Sequence, residues 1–559
     1  MIHRLLARSS VFIPVAVPAL AALAGCSDSG TVAVAVIPAH GPVLTCSTQM
    51  MQAIVTGSSN HVVDWSVMED SSHGTIDAAS GLFTAPIAMP TPSTATVVAT
   101  AMADGKTTGT SLLTLGTAFP SAARPITGSA GSSSFDTGTF VHSVAAKGNR
   151  VYAVWSDDPT GGTTVRLKVA RSDDGGATWM APVTAMTANL MPPNVVPNSF
   201  IRCPAIAIDA GNPDVVYAIG DVTGPTDVGM LDQSLNGNQA QLIAISSDGG
   251  ATWIQHTLHV AAGGDICADV ASPAPNTVTV VSPGWGDCVP GPSNMRDMFV
   301  WSDKNRGAGF ATGAIIANPA EYFANGYTHG LDDLGNDPQC TSEHLFPEAD
   351  GGTDSAGDAT ESPRVFTDGA GNLCVTYIGY INHSNGVMEV HAYAQCSADA
   401  GITWTAATVL DGASPPQYST SVVGAAGPNG AVTAFWSSGR NGGLYTATST
   451  DGGKTFAPRS QTPHPIQFSG DPERATGLNP MIAYDAQGIL WVAYRAYDGN
   501  TDQMIVDKSC DNGHTWSGPR SIDTAGVLMK FPTFALTPGA APTLSAWAGD
   551  HMATFTLTP

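Results

Sequence analysis

The sequence predicts an all-β protein in which a β-propeller of four-stranded units follows a small N-terminal β-sandwich. Three observations carry this. The 559 residues include 61 glycines and 39 prolines, a supply of turn formers that suits short strands and not long helices. One octapeptide occurs five times: "SDDGGATW" from Ser172, "SSDGGATW" from Ser246, "SADAGITW" from Ser397, "STDGGKTF" from Ser449 and "SCDNGHTW" from Ser509. Each copy holds the same place in a cycle of four alternating runs, which is the content of a propeller blade.

Charge narrows the possible partners. Lys plus Arg number 22 against 46 for Asp plus Glu, a formal net charge of −24, and no basic run occurs anywhere. Nucleic acid and anionic membrane surfaces both need clustered cations, so neither is expected as a partner. Only 12% of the residues are charged, which suits the neutral, hydroxyl-rich surface of an exported protein.

The N-terminus supports export. Arg4 and Arg8 precede an apolar run from Val11 to Leu23 that is short for a bilayer span and interrupted by Pro14 and Pro18. It ends in "LAGC", Leu23 to Cys26, and resembles the lipobox of bacterial lipoproteins. The resemblance implies a signal peptide over residues 1–25, a lipid on Cys26 as the membrane attachment, and a polar tether over 26–30. Ser27 after the cysteine is similar to the outer-membrane sorting pattern of enterobacterial lipoproteins. The expected location is therefore exported and lipid-anchored, at the outer membrane or cell surface.

Residues 31–117 read as the sandwich. "AIVTGSS", "VVDWSVM", "GTIDAASGLFTAP" and "ATVVATAMADG" are short alternating runs separated by Gly, Pro and Asp turns, with Trp65 as the core filler. The segment resembles bacterial immunoglobulin-like domains, which implies a spacer.

Residues 118–559 carry the repeats. Inner runs begin near His142, Arg202, Cys267, Glu361, Thr420, Asn479 and Lys530, which favours seven blades, with six as the alternative. The last lacks an octapeptide, and "RPITGSA" from Arg124 stands as an orphan strand able to complete it and remove both open edges. Eight cysteines follow Cys26, none in C-x-x-C spacing, so disulfides are expected. Cys374 and Cys396 flank the hairpin loop "NHSNG" symmetrically and should face each other. Cys267 and Cys288 form a second candidate pair, and the other four cysteines stay unassigned.

S-x-D-x-G-x-T-W is the Asp-box, or BNR repeat, and the five copies resemble those of the sialidase-like propeller superfamily, with Phe456 replacing one Trp. Local physics assigns them to scaffold. Asp174, Asp248, Asp399, Asp451 and Asp511 accept backbone N–H groups within a turn, Gly176 and its equivalents adopt φ > 0, and Trp179, Trp253, Trp404 and Trp516 pack between blades. The resemblance places ligands on the opposite face. There the acidic insertion 317–361 reads either as a solvated loop or as one ordered by Ca²⁺; no cofactor is otherwise called for and no metal ligands are assigned.

"IRCPAIAID" from Ile201 resembles the sialidase F/Y-R-I-P segment, whose Arg grips a substrate carboxylate; Arg202 and Pro204 match, and Ile201 and Cys203 depart. The remaining catalytic candidates are Glu473 with Arg474, then Arg296, Arg440 and Arg495, with Asp221 or Asp227 as acid. Aligning the inner runs on Pro204 sets Glu361 and Lys530 level with Arg202, a ring of charge for ligand binding. Because the catalytic set is incomplete, the sequence favours a surface protein that binds glycan or another extracellular polymer, with a sialidase-type exo-glycoside hydrolase as the alternative.

Overall fold

The computed structural model describes residues 30–116, 119–120, 124–126, 129, 142–157, 164–189, 201–223, 238–262, 268–285, 296–307, 359–382, 388–401, 403–412, 419–438, 443–462, 480–485, 487–497, 502–522, 529–535, 543–548 and 551–558. Apart from short 3-10 turns, all regular structure among them is β. By packing, the chain divides into two compact units. One holds the N-terminal residues through Gly41 with Gln49–Phe83 and Thr94–Thr114; the other holds Pro42–Thr48, Thr84–Ser93 and everything from Leu115 onward.

The N-terminal strands are β1 (Ala33–Ile37), β2 (His40–Leu44), β3 (Thr48–Met50), β4 (Gln52–Thr56), β5 (Val63–Val67), β6 (Thr75–Ile76), β7 (Leu82–Thr84), β8 (Thr94–Ala101) and β9 (Thr108–Gly116). They form a sheet in the order β2-β9-β8-β5, a second in the order β3-β7-β6, and the pair β1-β4. Along β8 and β9 every second residue is buried, as a sheet with one dry face requires. Trp65, Phe83, Val97, Ala99 and Leu113 fill that interior. Gly81, at φ +75, lies under the Trp65 indole, and a Cβ there would come within 2.8 Å of the ring.

The larger unit opens with β10 (Phe119–Pro120) and β11 (Arg124–Pro125) and then repeats an antiparallel meander. The first sheet is β12 (His142–Lys147), β13 (Arg150–Asp157), β14 (Thr164–Ser172) and β15 (Val183–Asn189). The second is β16 (Ile201–Ile208), β17 (Val216–Thr223), β18 (Asn238–Ser246) and β19 (Ile254–Ala262). The third shows three strands among the described residues, β20 (Asp269–Ala271), β21 (Val278–Trp285) and β22 (Arg296–Asp303). A parallel pairing of Arg296 with Ala359 joins it to the fourth, β23 (Ala359–Thr367), β24 (Leu373–Asn382), β25 (Met388–Ser397) and β26 (Thr408–Val409). The fifth is β27 (Ser419–Ala426), β28 (Val432–Ser438), β29 (Gly443–Ser449) and β30 (Ser460–Gln461). The sixth is β31 (Met481–Tyr484), β32 (Leu490–Tyr497), β33 (Asp502–Ser509) and β34 (Arg520–Ser521). Last come β35 (Met529–Ala535), β36 (Thr543–Ala548) and β37 (His551–Thr558).

First strands pack beside first strands: β12 with β16, then β20, β23, β27, β31 and β35, which returns to β12. The segment that precedes β12 adds to the last sheet. Phe119 pairs with Thr558, Arg124 with Thr554, and the Ile126 amide donates to the Met552 carbonyl at 2.8 Å. This is a β-propeller arrangement, and its apolar core is divided among clusters lying between successive sheets.

The octapeptides explain how the sheets are joined. In the first, the Ser172 hydroxyl donates to Asp174 Oδ1 (2.8 Å) and accepts from the Gly176 amide (2.9 Å). The Thr178 amide and hydroxyl donate to the same carboxylate at 2.8 and 2.6 Å. The same set recurs around Asp248, Asp399, Asp451 and Asp511. Each turn contains two consecutive left-handed residues. The first is Gly175, Gly249, Ala400, Gly452 or Asn512; the second is always glycine, at Gly176, Gly250, Gly401, Gly453 and Gly513.

Nothing lies within 4 Å of a Cβ built on Gly452, whereas one on Gly250 would meet Tyr152 at 3.2 Å and one on Gly453 would overlap Cys396 Sγ, both on the preceding sheet. The box aromatics reach the same way. Trp253 packs on the cluster shared with the first sheet, Trp404 on Val281 and Val300 of the third, and Phe456 on Cys374 and Cys396 of the fourth. Trp516 meets Phe435 of the fifth edge-on at 6.1 Å, and Trp179 joins Met552 of the last sheet. The turn after β22, "SDKNRG" from Ser302, is a degenerate copy and keeps the left-handed pair as Arg306 and Gly307.

Cys374 and Cys396 are cross-strand partners on β24 and β25 and form the expected disulfide. A second bond, Cys46 to Cys510, joins cysteines that the sequence left unassigned. Cys203 is also disulfide-bonded, to a cysteine outside the described residues, where Cys267 and Cys288 lie as well.

Two outcomes follow from the turns. Gly452→Ala should cost about 1–2 kcal/mol for the left-handed backbone alone, and Gly453→Ala should cost about 1–3 kcal/mol more from overpacking; equal melting temperatures would refute the joint. The Thr178 and Thr252 hydroxyls lead in holding Asp174 and Asp248 down to about 2. Carboxylates held low in the folded state stabilise above their unfolded value near ~4 and lose that contribution as pH falls toward about 2. Melting temperature should therefore drop across that window, and Asp248→Asn should flatten the slope.

Candidate functional site

First and third strands of a meander run the same way, so the boxes that follow third strands leave the starts of first strands on the opposite face. The register slips there in four sheets. Arg202 pairs with Asp221, but the next pair is Ala205 with Ile219; Glu361 pairs with Ile378, then Arg364 with Thr376. Thr420 and Val423 bracket the same slip in β27, and Lys530 and Thr533 in β35. Two residues oppose one at each place, which is a β-bulge, and bulges re-aim neighbouring side chains.

The bulge gives the x-Pro pattern of these runs a structural cause. Pro204, Pro363 and Pro532 each take the second bulged position, where a missing N–H does not break the ladder. Arg202, Glu361 and Lys530 thus share one register step, immediately before the bulge, on first strands of three different sheets. Cys203, the first bulged residue of β16, adopts φ +46 and is tied by its disulfide.

Asp221 is the direct cross-strand partner of Arg202 and also of Gln241 on β18, which in turn pairs with His259 on β19. A polar row therefore crosses the whole second sheet. Asp221 is 1% exposed, and it shares its sheet face with Ile219 and Ile243, which belong to the cluster packed against the third sheet. Its carboxylate is enclosed between sheets and not displayed on the open face. Arg296 begins β22 and Arg495 lies on β32. Glu473, Arg474, Asp227, Arg440 and residues 308–358, which contain most of the acidic insertion, lie outside the described residues.

Charged groups on this side went unnoticed in the sequence. Asp269 Oδ1 accepts the Val270 amide at 2.9 Å, and Oδ2 accepts the Val365 amide of β23 at 3.0 Å, so one carboxylate stitches the first strands of the third and fourth sheets. Arg364, just past the bulge, donates to the Pro363 carbonyl at 3.0 Å. Burial pushes the Asp269 carboxyl up and the Arg364 guanidinium down, and the attraction of each for the other opposes both shifts. Further out, buried His391 on β25 contacts the Asp411 carboxylate at 3.0 Å, and Arg459 of the fifth sheet donates to the Asp411 carbonyl while lying over the Tyr445 ring. "CADVASP" and "ESPRVFTD" gave no local sign that they meet. Among the described residues no group of three or more His, Cys, Asp or Glu is placed to hold a metal ion.

No protein-family model matches the chain, and no curated protein matches it. Solved structures similar to it include a protein of unknown function from Dyadobacter fermentans (14% identity, 75% of this chain and 94% of that one, TM-score 0.39). They also include a Hadza microbial sialidase (11%, 86% and 78%, 0.38) and a Penicillium chrysogenum α-L-arabinanase complexed with arabinobiose (12%, 78% and 98%, 0.40).

Asp269→Ala should destabilise the protein by about 1–3 kcal/mol, because the Val270 and Val365 amides lose their shared acceptor. Asp269→Asn, which keeps one acceptor oxygen, should cost less in the same denaturant titration.

Proposed function

We propose that the protein is an exported surface lipoprotein whose propeller binds an acidic extracellular glycan on the face opposite the octapeptides. One observation carries this: Arg202, Glu361 and Lys530 occupy the same register step before the bulge on three first strands. Cations at that level can pair with ligand carboxylates, while Glu361 can accept sugar hydroxyls. We read the larger unit as seven blades with β10 and β11 completing the last, the N-terminal strands as an immunoglobulin-like spacer, and Cys26 as the lipid site. The two described disulfides, with a third at Cys203, fit an oxidising compartment. No helix among the described residues is long and apolar enough to cross a membrane.

Titration with polysialic acid tests the ligand. Wild type should bind, Arg202→Ala should weaken binding by about 1–3 kcal/mol, the worth of a charge-assisted bond, and Glu361→Gln should alter it without unfolding the chain. Unchanged binding in Arg202→Ala would assign that residue to the sheet alone, and cleavage of an aryl sialoside by wild type would replace the binding reading with hydrolysis. The anchor is tested separately: Cys26→Ser should leave the protein soluble, and membrane partition equal to wild type would exclude lipidation there.

A further inference from the structure

Residues 42–48 lie within the larger unit, their backbone hydrogen-bonded to Ala85, Pro86 and Gly116, and three further contacts join this region and Met89 to the octapeptide of the sixth sheet and its flanks. Cys46 is bonded to Cys510, the second residue of the box. Lys508, two residues earlier, is 2% exposed and donates from Nζ to the Thr45 carbonyl at 2.8 Å. On the far side of the box the Met89 amide donates to the Ser517 carbonyl at 3.3 Å.

Among the described residues no carboxylate lies within ion-pair distance of the Lys508 ammonium. Asp507 accepts from the Lys508 amide and the Ser517 hydroxyl, and Asp485 accepts from the Gln487 and Ile489 amides and the Trp491 indole. The ammonium sits 5.5 Å from the Trp491 ring centre, and burial brings it down to about 8 against the pull of Asp485 and Asp507. Enclosing such an amine is costly, and the Thr45 carbonyl is the hydrogen-bond acceptor that offsets it.

The two described disulfides differ in access. Cys374 and Cys396 are fully buried beneath Gly453, whereas Cys46 and Cys510 are both partly exposed.

We propose that Cys46–Cys510 is a redox-operated latch that holds residues 42–48 over Lys508, and that its reduction uncovers this amine while the rest of the propeller stays folded. The reductant is a small dithiol. Its thiolate attacks one sulfur, the S–S bond breaks, and a mixed disulfide forms as the other cysteine leaves as a thiolate. The second thiol of the reagent then displaces the first cysteine. Two electrons come from the dithiol, which ends as a cyclic disulfide, and its two protons end on Cys46 and Cys510.

The experiment treats full-length protein with increasing dithiothreitol, alkylates free thiols, acetylates amines with a succinimidyl ester and maps both by peptide mass. Cys46 and Cys510 should be alkylated at concentrations that leave Cys374 and Cys396 bonded. Lys508 acetylation should rise at least tenfold over the same range, while Lys168 stays constant. Hydrogen exchange should increase in 42–48 and 509–517 and not in 373–397. The latch is overturned if Lys508 is acetylated equally before reduction, or stays protected after Cys46 and Cys510 are fully alkylated. It is also overturned if Cys374 and Cys396 open together with them. A Cys46→Ser/Cys510→Ser double variant should show reduced-like labelling without reagent, and oxidised-like labelling would again overturn the proposal.

Discussion

The carboxylate at the centre of each octapeptide is the constraint on which the larger unit depends. By accepting the serine hydroxyl and both the amide and hydroxyl of threonine, it fixes a turn with two left-handed residues in sequence. The second of these is always glycine and lies against the preceding sheet, most closely at Gly250 and Gly453, while the first is glycine, alanine or asparagine and, in the degenerate copy, arginine. An aromatic follows and completes the contact. Turn chemistry and sheet-to-sheet packing are thus one device, and the orientation of every neighbouring meander follows from it.

That device frees the other face. Because the joints are made at one end of the sheets, the starts of the first strands are not needed to hold the sheets together, and they can carry bulges, prolines and charge. Some stitching remains there: the Asp269 carboxylate ties β20 to β23 at Val365, just past the bulge that follows Glu361. The row Arg202, Asp221, Gln241 and His259 crosses the second sheet at one register level, with the Asp221 carboxylate enclosed between sheets.

Much of this was legible because its signals are local. The boxes, the four-run cycle and the symmetric placement of Cys374 and Cys396 each lie within a few tens of residues, where turn chemistry and alternation speak for themselves. The level of Arg202, Glu361 and Lys530 could be aligned on a proline, but the bulge that gives the proline its reason appears only in the register. Partners brought together by the ring could not be read at all. Cys46 and Cys510 are separated by 464 residues, and Asp269 finds the Val365 amide on a different sheet. Trp253 packs between the first two sheets as expected, but the hydrogen bond from its indole N–H to the Gly250 carbonyl had no sign in the sequence.

The pairing of β10 and β11 with β37 also sets an order in time. The Met552 amide donates to the Ser129 hydroxyl across 423 residues, so the last sheet cannot finish until the C-terminal strand has been made and delivered. A chain threaded through a membrane from its N-terminus would hold its early strands as an unfilled edge throughout transit, when loop-closure entropy is greatest and no partner is present. Closure of the last sheet is then a late step of folding, waiting on β37 however early the other sheets form.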